Sequence, residues 1–87
     1  MSYRIEWEQD ATQALDQLDI PVIHNILKRI DWLSVNFDNI RPKRLTGRLR
    51  GDFRLRVGDY RVIYSVNLNS RTIIIRLVGH RSDIYRQ

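Results

Sequence analysis

The sequence contains no cysteine, so disulfide staples and thiolate metal sites are both excluded. Such a chain is compatible with a reducing compartment, and a cytoplasmic location is the expectation. Its four glycines fall singly at turn positions and build no phosphate-cradling loop. The two histidines, His24 and His80, are not spaced as a metal-binding pair, so neither a metal nor a cofactor is expected. Ser82, His80 and Asp83 are near neighbours in sequence and cannot assume triad geometry across one short turn. No apolar run approaches the length of a membrane span, and the first residues read as a strand, not as a signal peptide; no membrane partner is expected. Lysine is scarce as well, with two lysines against thirteen arginines.

What the chain does have is a steep charge gradient. Residues 1–40 carry a net charge of −4 and residues 41–87 a net charge of +9, which together give the overall +5. A basic half points to a polyanionic partner. The choice of arginine sharpens this, because its planar fork grips phosphate through two bonds and stacks on bases. RNA is therefore the expected polyanion. With 87 residues there is room for one small domain, expected to span residues 1–87.

Hydrophobic periodicity supplies the elements. Tyr3, Ile5 and Trp7 alternate with Arg4 and Glu6, the period of a half-buried strand. Ala11, Ala14, Leu15 and Leu18 form a helical stripe, and Asp10 with Gln13 reads as a capping box at its start. Asp19-Ile20-Pro21 ends that helix and opens another, striped by Ile23, Ile26, Leu27, Ile30 and Leu33 with Phe37 near its end. Trp7 and Trp32 are assigned to core stripes. From Asn39 to Asp52 the pattern is lost, and this polar, basic segment is read as a connector anchored by Leu45 and Leu49. Strands are expected over Phe53–Val57, Tyr60–Asn67 and Arg71–Val78. The expected fold class is α+β, in the order β-α-α-β-β-β: an antiparallel meander plus an N-terminal strand, with a helical hairpin packed on one sheet face.

Taking Gly58-Asp59 as a two-residue loop pairs Val57 with Tyr60, Arg56 with Arg61, Leu55 with Val62 and Phe53 with Tyr64. Side chains alternate between faces, so Phe53, Leu55, Val57, Tyr60, Val62 and Tyr64 form a core face, and Arg54, Arg56 and Arg61 gather on an open one. A four-residue second loop adds Ile73, Ile75 and Leu77 to the core face and Arg76 to the basic one. Arg56 directly opposite Arg61 breaks the rule against like-charged cross-strand pairs, as functional sites do.

Three ordered blocks in this chain resemble the RelE/ParE superfamily of bacterial toxins. They are Leu45-Thr46-Gly47, the run from Phe53 to Tyr64, and Val78-Gly79-His80-Arg81 with a closing Ile84-Tyr85. The resemblance implies a RelE-like fold and a toxin of a type II toxin–antitoxin system. It further implies a ribosome-dependent endoribonuclease that cuts mRNA in the A site by metal-independent 2′-hydroxyl attack and so inhibits translation. On it, Arg54 and Arg56 take basic strand positions, and Arg61 is the arginine of a Tyr-Arg pair. Arg81 is a later catalytic arginine and Tyr85 a C-terminal tyrosine that stacks on a base. Some relatives carry lysine where Arg54 and Arg56 stand, and arginine stays protonated in proteins. The base is then His80, or catalysis rests on charge stabilisation alone. The implied partners are an acidic, RelB-like antitoxin, the ribosomal A site with its mRNA, and operator DNA only through the antitoxin complex. Two alternatives stand beside it: a ParE-like inhibitor of DNA gyrase without nuclease activity, which shares the fold, and a non-catalytic RNA-binding module.

Overall fold

A computed structural model of the chain describes residues 2–40, 43–44 and 52–84. The order is β1 (Arg4–Trp7), α1 (Gln9–Asp16), α2 (Ile20–Asn36), a single 3₁₀ turn (Phe37–Asn39), β2 (Lys43–Arg44), β3 (Phe53–Val57), β4 (Tyr60–Asn67), β5 (Thr72–His80) and α3 (Arg81–Ile84). The strands form one sheet in the order β1-β5-β4-β3-β2, with β1 parallel to β5 and the other pairs antiparallel. This is the expected α+β arrangement, with two additions that no periodicity announced. One is the two-residue strand β2, too short to show alternation, and the other is the closing helical turn α3. Leu45, Leu49 and the Leu45-Thr46-Gly47 block lie outside the described residues.

The ladder of β1 runs directly into α1. The Glu8 N–H donates to Ile75 O at 2.9 Å while the Glu8 carbonyl accepts the Thr12 N–H at 3.1 Å. The helix therefore starts at Gln9 with Glu8 as its N-cap. Asp10 sits inside the first turn, and the expected Asp10–Gln13 capping box does not form. α2 begins as expected, with Asp19 as N-cap and Pro21 in the first turn, where its missing N–H costs nothing.

The core lies between the helical hairpin and one sheet face. Ile26, Ile30 and Leu33 of α2 are buried against Leu55, Val62, Tyr64, Ile73 and Ile75. Tyr3, Phe37, Phe53 and Tyr64 close one end as a chain of tilted and edge-to-face aromatic contacts, with centroids 5.1–6.4 Å apart. Two residues read as core are not in it. Leu27 and Trp32 are each 40% exposed, because the buried arc of α2 centres on Ile26, Ile30 and Leu33 and leaves both on its flanks. Trp7 is half-buried against the core, as expected.

Both meander loops have the expected length. Gly58 has φ +59° and Asp59 does not share the positive sign, the pattern of a type II′ turn, whose twist matches the strands it joins. In the second loop Asn67 pairs with Thr72. Arg71, read as the first residue of a strand, instead takes a left-handed conformation (φ 50°) and closes the loop. A β-bulge then shifts the register: Tyr64 pairs with Ile75 but Ile63 pairs with Leu77, so Arg76 is the extra residue. Beyond it the faces exchange. Val78 enters the core, and Leu77, expected there, moves to the face of Ile63.

Candidate nucleic-acid interface

The β3–β4 register is the one read from the loop: Arg56 lies opposite Arg61, and Arg54 opposite Ile63. Three arginines thus share the sheet face turned away from the helices. That face is not uniformly open, however. Ile63 is fully buried and Arg61 is only 7% exposed, whereas Arg56 is exposed. The Arg61 guanidinium turns back onto its own hairpin, where Nη1 donates to the carbonyls of Gly58 and Tyr60, each at 2.8 Å. This explains how the like-charged pair is tolerated. One guanidinium is drawn to the negative ends of two turn carbonyls while the other stays in water. Lys43 on β2 takes the register position opposite Arg54.

Arg76 stands apart from the cluster. It bridges Glu8 at 3.6 Å and Asp52 at 3.8 Å, so its charge is locally answered. Arg81 joins the hairpin end from α3: its N–H donates to Asp59 O at 2.8 Å, with its Nε 3.9 Å from the Asp59 carboxylate. Arg61 and Arg81 therefore bond successive carbonyls of a single turn. Tyr85 lies outside the described residues.

His80 is placed differently from the arginines. It pairs with Tyr60 across the ladder, and its ring meets that tyrosine edge-on at 5.4 Å. Paired residues share a face, so His80 looks toward the helix side, where it lines a cleft of about 540 Å³ with Asp10 of α1 and with Gln17 and Leu18 just past that helix. Its Nδ1 accepts the Ser82 N–H at 3.1 Å and lies 2.9 Å from Ser82 Oγ. A backbone N–H can only donate, so the neutral ring carries its proton on Nε2 and its Nδ1 lone pair is committed. His80 caps α3.

A second polar cluster escaped the sequence reading, because its members are far apart in the chain. The Asp38 carboxylate accepts the Tyr3 hydroxyl at 2.7 Å and pairs with Arg71 at 3.0 Å, while the Arg71 guanidinium lies 4.2 Å from the centre of the Tyr3 ring. Hydrogen bonds from Tyr3 and then Arg71 hold the Asp38 carboxyl below its ordinary value, and the bond to Asp38 raises the Tyr3 phenol. Burial raises the Tyr64 phenol. Among the described residues no three His, Asp or Glu side chains converge as metal ligands.

The fold has counterparts among solved structures. The chain superposes on a toxin chain of the RelBE2 toxin–antitoxin complex of Mycobacterium tuberculosis with a TM-score of 0.82 and 26% identity, over 93% of this chain and 100% of that one. With the RelE–RelB complex of Pyrococcus horikoshii the TM-score is 0.73 at 31% identity, over 93% and 97%. The architecture is that of the RelE-type toxins. A family model described as ParE toxin of type II toxin–antitoxin system matches residues 5–85. The chain belongs to this family, and it is a toxin of a type II toxin–antitoxin system. It is also 42% identical over 45 residues to Toxin RelG of M. tuberculosis, a match spanning 52% of each chain.

Proposed function

We propose that the chain is a ribosome-dependent endoribonuclease that cleaves mRNA in the A site and thereby stops translation. The observation that carries this reading is the row of Arg54, Arg56 and Arg61 on one sheet face, with Arg61 held in place by the turn it bonds. In the proposed reaction the 2′-oxygen attacks the adjacent phosphorus and the P–O5′ bond breaks. A cyclic 2′,3′-phosphate and a 5′-hydroxyl result. Negative charge builds on the phosphoryl oxygens and on the leaving oxygen, where preorganised cations are worth most. Arg56, exposed, meets the phosphate. Arg61 and Arg81 give the site a fixed frame. The arginines remain charged, so under their field the 2′-proton leaves to solvent and the departing 5′-oxygen takes up a proton from solvent. His80, on the other face with its Nδ1 lone pair engaged by Ser82, positions α3 instead of taking that proton.

The similarity to toxins solved in complex with RelB supports a cognate antitoxin as the resident partner. An acidic segment laid over the basic face would neutralise the site directly. We place the toxin in the cytoplasm, where ribosomes and mRNA are found; no helix among the described residues is long and apolar enough to cross a membrane. Incubation with ribosomes and mRNA, run beside a gyrase supercoiling assay, tests the reading. Cleaved mRNA with supercoiling unaffected is the expected result. Blocked supercoiling with intact mRNA would instead establish the gyrase-inhibitor alternative.

A further inference from the structure

The seam between α2 and the β3–β4 hairpin carries a second concentration of charge, distinct from the sheet face. Asn25, Lys28, Arg29 and Trp32 recur at i, i+3, i+4 and i+7, so they form one stripe on α2. The first three line a cleft of about 380 Å³ whose other wall is Arg56, Val57 and Gly58. Among the described residues its lining holds three cations from two elements and no carboxylate. Next to it the Arg29 guanidinium lies 4.4 Å from the centre of the Trp32 ring, which is 40% exposed.

We propose that this seam binds single-stranded RNA, with Lys28, Arg29 and Arg56 on its phosphates and the Arg29–Trp32 stack under an unpaired base. The cations alone would suit any polyanion. The flat indole–guanidinium stack and the exposed Asn25 amide are what select a nucleic acid over an acidic peptide, since a base offers a π-face and a polar edge and a carboxylate offers neither. Arg56 belongs to both surfaces, so an RNA strand lying on the sheet face continues over the edge of β3 into the seam. This continuity rests on the nuclease reading of the sheet face, whereas RNA binding at the seam does not.

The test is fluorescence anisotropy of the full chain with a short, 2′-O-methylated single-stranded RNA across a salt series. Lys28→Gln and Arg29→Gln should each weaken binding and flatten the slope of log K against log salt by about 0.7. Trp32→Ala should weaken binding about tenfold with the slope unchanged, and Trp32→Phe should restore most of it. Wild-type affinity and slope in all of these variants, with Arg56→Ala still weakened, would overturn the seam and leave the sheet-face reading intact. No RNA binding by the wild type at low salt would overturn it too. Tighter binding of a poly-glutamate peptide than of RNA, sensitive to the same substitutions, would reassign the seam to an acidic protein. Seam-dependent RNA binding in a chain that fails to cut mRNA on ribosomes would sink the nuclease reading and leave the seam standing.

Discussion

Arg56 and Arg61 share one ladder rung and stand in different surroundings. Arg56 is exposed, so its guanidinium is available to phosphate at little structural cost. Arg56→Ala should slow mRNA cleavage by about two to three orders of magnitude while changing stability by less than about 0.5 kcal/mol. Single-turnover cleavage on ribosomes and urea unfolding measure the two effects separately. Arg61→Ala should lower activity as far and also cost about 1 kcal/mol, because the Gly58 and Tyr60 carbonyls lose their donor. If Arg56→Ala cuts at the wild-type rate, the arginine face is not the catalytic surface. His80→Gln should keep most of the cleavage rate, since the ring faces the helix side and its Nδ1 lone pair is spent on Ser82. Complete loss of cleavage in that variant, with ribosome binding retained, would restore the histidine as the base. None of this was legible from residue type. The alternation that places His80 and Arg61 on opposite faces becomes countable only when the bulge at Arg76 is known, and the carbonyls that draw Arg61 inward exist only once the turn has closed.

At the scale of elements, the β3–β4 hairpin was the most readable part of the chain. A glycine followed by aspartate between two alternating runs admits few loop geometries, and the loop length then sets every rung from Val57–Tyr60 to Phe53–Tyr64. Gly58 is required for its backbone, not for space: a Cβ built there meets nothing within 4 Å, yet φ is +59°. Gly58→Ala should therefore cost about 1–2 kcal/mol through backbone strain alone, read from denaturant unfolding. An unchanged midpoint would mean that the turn relaxes into another type. The β5 register was harder to read, because a bulge leaves no mark in the hydrophobic pattern until its partner strand is known. Leu77 and Val78 are both apolar, so the sequence alone offers nothing to choose which faces the core. α2 posed the same difficulty, since Leu27 and Trp32 extend its apolar pattern beyond the arc that the sheet can cover.

Across the whole molecule, one core holds the sheet to the helices, and its two faces are chemically distinct. Val62 is fully buried on the helix side, so Val62→Asp should cost more than about 4 kcal/mol and abolish the cooperative thermal transition. A normal melt would mean that the faces are reversed. The Asp38–Tyr3–Arg71 cluster ties the 3₁₀ turn that follows α2 to the residue before β1 and to the β4–β5 loop. Its carboxyl is depressed in the folded state, so its stabilisation is present above the ordinary aspartate value and is lost as pH falls through the lowered one. Asp38→Asn keeps an acceptor for Tyr3 but not for Arg71. Its melting temperature should lie below that of the wild type at neutral pH, and the gap should close on acidification below about pH 4. A gap independent of pH would show that the cluster acts by packing alone.

The parallel pairing of β1 with β5 has a kinetic consequence. Arg4 can meet Thr72, and Trp7 can meet Ile75, only by closing a loop that contains both long helices and the intervening strands. The hairpins joining β3, β4 and β5 close over short loops, so they are free to form early at small entropic cost. β1 and the helices that follow it must wait, with Ile26, Ile30 and Leu33 uncovered in the meantime. The arginine rungs are thus built locally, while the rigidity that aims them arrives only with the last long-range closure. A refolding chain therefore has its charges in order before it has a core to hold them still.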